Sequence, residues 1–232
     1  MVTCEKKQGW KGKVKMIIAI DGPSGAGKST VAKLVSKSLN FEYIDTGAMY
    51  RALAYKALKN KIPITVEKID EMLDTTKIDY YNNSIFLDDE CVDDYIRNEN
   101  ISKNSSKISS LENVRLKMVD LQRYIAENKN VILDGRDIGT NVFPNADYKF
   151  FITASVEERA RRRYDELLKK GMSVSYNDVL QDIKIRDYND STRLIAPLKV
   201  AEDAILIDTT DMNIEDIKNK IISIVSEERN AL

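Results

Sequence analysis

Histidine is absent from the 232-residue chain. Its absence excludes the Ser-His and Cys-His nucleophile pairs and every zinc site that uses a histidine ligand. The two cysteines, Cys4 and Cys91, are far apart and lack the paired spacing of metal ligands. We therefore expect free thiols in a reducing compartment. Any catalysis must depend on lysine, arginine, aspartate, hydroxyl groups and a hard metal ion.

Long apolar runs are also absent, since none approaches the ~20 residues that a membrane-spanning helix needs. The net charge of −1 gives the chain no overall attraction to nucleic acid or to an anionic membrane. Residues 1–15 are polar and basic and lack the apolar segment of a secretory signal. We expect a short disordered leader followed by a cytoplasmic globular domain that binds neither nucleic acid nor membrane.

Short apolar runs alternate with helical patterns along most of the chain. The apolar runs, which are typical of buried parallel strands, are Lys15–Ile20, Phe41–Ile44, Asn130–Leu133, Tyr148–Ile152 and Ala204–Ile207. The helical patterns are Ser29–Leu39, Met49–Leu58, Leu111–Glu127, Val156–Lys169, Tyr176–Asp190 and Ile214–Glu227. This alternation predicts an α/β fold with a five-stranded parallel sheet flanked by helices.

The middle of the chain interrupts the alternation. Ile78–Tyr81 and Ser84–Leu87 are strand-like and flank Asn82-Asn83, which suits a hairpin turn. Cys91–Val92 is a third short strand-like stretch. We predict an inserted subdomain from about residue 64 to residue 105, made of a helix and a small antiparallel sheet.

The stretch GPSGAGKST, Gly22–Thr30, has the Gly-x-x-x-x-Gly-Lys-Ser spacing of a phosphate-binding loop. Its glycines let backbone N–H groups approach phosphate oxygens, and the helix that follows points its positive end at the same place. Lys28 adds a cation for the β- and γ-phosphates, and the Ser29 hydroxyl is placed to ligate Mg²⁺. The alternative is a simple glycine-rich turn, which the strand–loop–helix context disfavours.

Signatures of several other nucleotide-binding classes are missing. The sequence has no Asn-Lys-x-Asp for a GTPase and no Ser-Gly-Gly signature for an ABC-type ATPase, and a motor or helicase is usually longer. What the chain does contain is a set of separated arginines, many of them beside aspartates.

Most of these arginines fall in four stretches. DTGAMYR (Asp45–Arg51) and DGRDIGT (Asp134–Thr140) follow predicted strands, where ligands of open α/β sheets bind. Helical spacing places Arg159, Arg162 and Arg163 on one side of a helix, and places Arg186, Asp190 and Arg193 on one side of the next. The structural alternatives are turn residues, loop ion pairs and solvated helix faces. One triphosphate loop with several arginines suits two phosphorylated ligands and phosphoryl transfer between them.

In this order, GPSGAGKST, DTGAMYR, DGRDIGT-x-VFP, EERARRR and IKIRDYNDSTRLIAPL resemble the motifs of bacterial cytidylate kinases, which are P-loop nucleoside monophosphate kinases. The resemblance covers residues 16–232 as a single P-loop kinase domain. It implies that the insert binds the nucleoside monophosphate and that residues of about 155–190 form a short, arginine-rich helical lid. The implied reaction converts ATP and CMP or dCMP into ADP and CDP or dCDP with Mg²⁺, in a monomer.

The resemblance also implies residue roles. The ATP phosphates would contact Gly22, Pro23, Ser24, Gly25, Ala26, Gly27, Lys28, Ser29 and Thr30. The CMP site would consist of Thr46, Arg51, Ser106, Arg115, Arg136, Asp137, Arg186, Asp190 and Arg193. The lid would supply Arg159, Arg162 and Arg163. Catalysis would depend on Lys28, Arg136, Arg159, Arg163 and Arg193. Mg²⁺ would be bound by Ser29, with Asp134 acting on it from further away.

Within this assignment Asp137 would accept from the cytosine N4 amino group, while Arg115 and Ser106 donate to N3 or O2. Uracil presents an acceptor where cytosine presents that donor, so we expect CMP to be strongly preferred over UMP. Two alternatives stay open from the sequence. One is another small-molecule P-loop kinase, such as one for shikimate or for a different nucleotide. The other is a nucleotide sensor without activity, in which the lid arginines would have no purpose.

Overall fold

Strands and helices alternate along the chain in the computed structural model, which describes residues 16–81 and 83–230. The strands are β1 (Ile17–Asp21), β2 (Glu42–Asp45), β3 (Ile78–Tyr81), β4 (Ser84–Leu87), β5 (Glu90–Cys91), β6 (Val131–Gly135), β7 (Tyr148–Thr153) and β8 (Ile205–Asp208). The helices are α1 (Lys28–Leu39), α2 (Thr46–Lys59), α3 (Val66–Asp74), α4 (Glu99–Ile108), α5 (Glu112–Ala126), α6 (Val156–Lys169), α7 (Tyr176–Thr192) and α8 (Ile214–Asn230). The leader predicted for residues 1–15 lies outside the described residues.

The central sheet has five parallel strands in the order β2-β6-β1-β7-β8, which confirms the fold class predicted from the sequence. The register pairs Ile20 of β1 and Asp45 of β2 with the same residue, Asp134 of β6. Asp21, one residue further along β1, pairs with Gly135. Because the strands are parallel, these three aspartates reach the same carboxyl edge of the sheet.

The residues of the sheet alternate between two apolar cores. Ile18 and Ile20 face a core that they share with α1 and α8, whereas Ala19 faces the opposite core with α2. Side chains of adjacent strand residues point to opposite faces, so a continuous apolar run buries both. This explains why residues 17–20 of β1 are all apolar and do not alternate with polar ones.

The insert forms the predicted small sheet, in which β4 pairs antiparallel with both β3 and β5. Asn83 takes a left-handed φ of 60°, as a tight hairpin turn requires; Asn82 lies outside the described residues. Ile85 and Ile69 of the insert lie in the same buried cluster as Leu53 of α2. The insert therefore packs on the central α/β unit through apolar side chains, and its described residues share one core with α2.

Helices α6 and α7 pack against each other through a small apolar cluster that is separate from the two cores of the sheet. Ser155 caps α6 and Ser175 caps α7, since each hydroxyl accepts from the backbone N–H three residues later. None of the helices that the structure describes has the length and hydrophobicity to cross a membrane.

Candidate active site

The loop after β1 has the backbone geometry that a phosphate-binding loop needs. Gly22, Gly25 and Gly27 all have positive φ, of 147°, 77° and 87°. A Cβ on Gly22 would lie 2.0 Å from the carbonyl oxygen of Ile152, so this position admits only glycine. Helix α1 begins at Lys28 after Gly27, whose missing side chain leaves the first backbone N–H groups open to an anion.

Lys28 is buried under this loop. Its Nζ donates to the carbonyl oxygen of Pro23 at 2.7 Å. Burial, followed by the nearby guanidinium of Arg136, lowers the pKa of the Lys28 ammonium well below its ordinary value. A phosphate group bound in the loop would offset both effects, because it brings negative charge between the two cations.

Ser29 and Asp134 form the place where a magnesium ion fits. The Ser29 hydroxyl donates to Asp134 Oδ2 and the Tyr43 hydroxyl donates to Asp134 Oδ1, both at 2.7 Å. Burial, and next the carboxylate of Asp45, raise the pKa of Asp134. Among the residues that the structure describes, no cluster of three acidic or cysteine side chains forms a protein-only metal site. Two hard oxygens beside a phosphate loop nevertheless suit Mg²⁺, which takes few protein ligands and completes its shell with phosphate oxygens and water.

Asp45 holds two arginines at the start of α2. Its Oδ1 caps the helix by accepting from the Ala48 N–H at 2.9 Å. Its Oδ2 accepts from Arg51 at 2.8 Å and from Arg97 at 3.4 Å. Burial opposes ionisation of Asp45, but the two guanidinium groups hold its pKa below the ordinary value. The carboxylate therefore presents both cations at the edge of the sheet.

Asp137 and Arg115 form a buried ion pair behind the arginines, with side chains 8% and 2% exposed. Arg115 Nη2 lies 2.5 Å from Asp137 Oδ2, and Asn141 donates to the same oxygen at 3.0 Å. Arg193 Nη2 reaches Asp137 Oδ1 at 3.3 Å. The pair joins α5 to the turn after β6, although 22 residues separate the two partners.

Arg136, Arg186 and Asp190 lie side by side at α7. Arg136 Nε donates to Asp190 Oδ2 at 2.8 Å. Burial, followed by the charge of Arg136, lowers the pKa of Arg186 to about 10. The Nε atoms of Arg186 and Arg51 are buried and have no hydrogen-bond partner among the described residues. Buried donors without acceptors are costly, so both point to an anionic ligand.

The three predicted lid arginines lie on α6 and differ in their contacts. Arg159 reaches the phosphate loop, since its Nη1 donates to the carbonyl oxygen of Ser24 at 3.1 Å and to Asp187 at 2.6 Å. Arg163 pairs with Glu166 at the mouth of the cleft. Arg162 turns instead to the end of β8, where it donates to the backbone oxygen of Thr209 at 2.6 Å.

A cleft of about 610 Å³ is lined by some of these groups. Its lining includes Ser24 of the phosphate loop, α4 of the insert and the inner face of α7. The predicted site residues that line it are Ser24, Ser106, Arg163, Arg186, Asp190 and Arg193. An ion pair of 2.8 Å between Lys103 of α4 and Asp182 of α7 crosses it.

Two predicted site residues donate hydrogen bonds to protein atoms and do not line the cleft. The hydroxyl of Thr46 donates to the backbone oxygen of Asp134 at 2.8 Å, and Arg162 faces Thr209. Their ligand roles remain predictions, as do those of the other assigned residues.

Other residues of the site were not predicted from the sequence: Asp21, Tyr43, Asp45, Arg97, Asn141 and Asp187. Asp45 and Asp187 stand inside quoted motifs, so the motifs themselves were a usable signal for both, whereas Asn141 occupies the unspecified position of DGRDIGT-x-VFP. Arg97 has no such signal, because it is identified only by a partner that is distant in the sequence.

Comparison with known proteins gives one consistent result. A sequence model described as cytidylate kinase matches residues 18–227. Proteins named cytidylate kinase from Alkaliphilus oremlandii and Fusobacterium nucleatum are 52% and 51% identical over 90% and 89% of this chain, and 96% and 95% of their own lengths. One from Clostridioides difficile is 49% identical over 90% of this chain and 97% of its own length.

Several solved structures are similar at much lower sequence identity. A shikimate kinase from Acinetobacter baumannii, in complex with shikimate, aligns over 92% of this chain and 94% of its own with 17% identity and a TM-score of 0.46. The family match covers the phosphate loop, the insert and the arginine-bearing helices together. On that match and on the identity to these relatives, the chain belongs to the cytidylate kinase family.

Proposed function

We propose that the cleft between α4 and α7 binds the nucleoside monophosphate and that the loop Gly22–Thr30 binds ATP. As a member of its family, the chain transfers the γ-phosphate of ATP to CMP or dCMP and releases ADP with CDP or dCDP. An oxygen of the CMP phosphate attacks the γ-phosphorus as the bond to the β–γ bridging oxygen breaks.

The observation that carries this assignment is the pair of buried guanidinium Nε atoms that have no acceptor among the described residues. Arg51 and Arg186 both have a buried Nε without an acceptor, and Arg136 lies close enough to Arg186 to lower its pKa. Cations held together at this cost are stabilised when a dianionic phosphate binds between them. With Lys28 beneath the loop, they would also stabilise the charge on the γ-phosphoryl group during transfer.

The base would lie against Asp137 and Arg115. Asp137 accepts the N4 amino protons of cytosine, and Arg115 and Ser106 donate to its N3 or O2. Uracil offers O4 to the carboxylate and leaves that buried contact without a proton. Arg186 would contact both the phosphate and the sugar, and Asp190, which is fixed through its hydrogen bond to Arg136, would contact the sugar.

Mg²⁺ is the metal that the donors fit. Ser29 would be its protein ligand, and Asp134 would act by orienting the Ser29 hydroxyl. When bound, the ion would neutralise part of the negative charge of the ATP phosphates. Tyr43 would keep Asp134 in place from the opposite side.

Residues of about 64–105 would form the nucleotide-binding insert, and residues of about 155–190 would form the lid of a cytoplasmic monomer. Arg159 and Arg163 are the lid residues closest to the transfer path, because one contacts Ser24 and the other lines the cleft. Closure of this helix pair over the substrates would keep water from accepting the phosphoryl group.

Arg186→Met tests the assignment directly. We expect the KM for CMP to rise at least about tenfold, since a charge-assisted hydrogen bond is worth roughly 1.5–3 kcal/mol. The KM for ATP should stay within about twofold. Arg161→Met is the matched control, because Arg161 lies on α6 with a side chain 58% exposed and pairs with Glu158 and Asp165. An unchanged KM for CMP in Arg186→Met, with normal folding, would contradict the proposal.

A further inference from the structure

Three donors surround the carboxylate of Asp137 unevenly. Its Oδ2 accepts from Arg115 at 2.5 Å and from the Asn141 side-chain amide at 3.0 Å. Its Oδ1 accepts only from Arg193 among the described residues, at the longer distance of 3.3 Å. Each carboxylate oxygen has two acceptor positions. Oδ2 is therefore filled, whereas Oδ1 keeps one position for a further donor.

The side chain of Asn141 is suited to hold this arrangement. A carboxylate only accepts, so the atom that faces Asp137 must be the amide nitrogen. The same residue also bonds through its backbone, since its N–H donates to the Asp137 carbonyl oxygen at 2.9 Å. Asp137 and Asn141 are thus locked to each other by two hydrogen bonds across one turn.

That turn is fixed from both sides. Asp21 accepts the backbone N–H groups of Ile138 at 2.9 Å and Gly139 at 2.7 Å. Arg123 of α5 donates to the carbonyl oxygens of Val142 at 2.9 Å and Asn141 at 3.0 Å. The turn therefore cannot shift to compensate if the Asn141 amide is lost.

We propose that Asn141 is a positioning residue for base selectivity. It occupies Oδ2 together with Arg115, so that Oδ1 of Asp137 is the oxygen presented to the exocyclic amino group of the base. The inference rests on the proposed function, in which Asp137 faces that amino group. Asn141 itself contacts no substrate and acts only through the orientation of Asp137.

The consequence differs between substrates. Without the amide, Oδ2 regains a free acceptor position and the carboxylate can rotate, so the contact with an amino group weakens. A base without that amino group makes no such contact and loses nothing. Because only part of the strength of a hydrogen bond to a charged group depends on its orientation, we expect kcat/KM for CMP to fall about fivefold to tenfold.

Asn141→Leu removes the donor with little change in shape, and Thr140→Val is its control on the exposed part of the same turn. We would measure kcat/KM for CMP, for UMP and for the 5′-monophosphate of 2-pyrimidinone riboside, which lacks the 4-amino group. We expect kcat/KM to fall about fivefold to tenfold for CMP only. Thr140→Val should leave all three within about twofold.

The outcomes separate this inference from the proposed function. A wild-type protein that does not turn over CMP refutes the proposed function. A wild-type protein that prefers CMP, with an Asn141→Leu variant that loses activity equally on all three substrates or on none, refutes the role of Asn141 alone. If Asn141→Leu does not fold, Asn141→Ala carries the same expectation and the same refutation.

Discussion

Asp21 should make the stability of the protein depend on pH, and Asp21→Asn should remove that dependence. Its carboxylate lies at the end of β1 and is 5% exposed. Burial is the main reason that its pKa rises from 3.8 to about 6, and this exceeds the opposite effect of the Gly139 and Ile138 N–H groups. The folded state therefore holds a proton on Asp21 at pH values where the unfolded state has lost it.

The sign and size follow from that difference. A folded pKa above the unfolded one contributes stability that is complete below pH 3.8 and is lost as the pH rises through about 6. The full contribution of Asp21 to the free energy of unfolding is about 3 kcal/mol. Between about pH 4.5 and about pH 7.5 it is about 2 kcal/mol, because part has already been lost at the lower value.

Urea unfolding of the wild type and of Asp21→Asn over this range is the assay. Other titrating groups contribute to both proteins, so the difference between their free energies of unfolding isolates Asp21. We expect the wild type to lose about 2 kcal/mol relative to the variant as the pH rises. A difference that stays constant, or one that moves in the wild type's favour as the pH rises, would refute the reasoning.

Three further predictions concern the site. Tyr43→Phe removes one hydrogen bond to Asp134, so the KM for ATP with Mg²⁺ should rise about fivefold in steady-state assays while that for CMP is unchanged. Arg115→Met leaves the Asp137 carboxylate buried without its nearest cation, so urea unfolding should show a loss of about 3 kcal/mol; a loss below about 1 kcal/mol would count against a strong pair. Gly22→Ala places a methyl group 2.0 Å from a β7 carbonyl oxygen, so ATP should no longer raise the melting temperature.

Strong local patterns explain which elements the sequence predicts well. The five strands of the central sheet are mostly apolar, and the phosphate loop combines its glycine spacing with a strand before it and a helix after it. Helix α4 was not predicted as a separate helix. Its serines, asparagines and lysines leave too few apolar residues for a clear helical periodicity. Among its residues, only Ile101, Ser105 and Ile108 are buried.

Several ion pairs of the site join residues that are far apart in the sequence, so the sequence alone does not predict them. The motif around Asp45 drew attention to Arg51, but the second cation on that carboxylate, Arg97, comes from 52 residues further along the chain. Asp187 likewise meets Arg159 across two helices. Such pairs depend on how elements pack, and spacing within one element carries no information about them.

The proposed function has Asp137 select cytosine, while the loop Gly22–Thr30 holds the ATP that supplies the phosphoryl group. It is tested most directly by coupled ADP release with ATP and Mg²⁺ against CMP, dCMP, UMP, AMP and shikimate at equal concentration. The account predicts turnover on CMP and dCMP and little on the others. Turnover on UMP or AMP comparable to that on CMP would contradict the role of Asp137, and no turnover on CMP would contradict the proposed function itself.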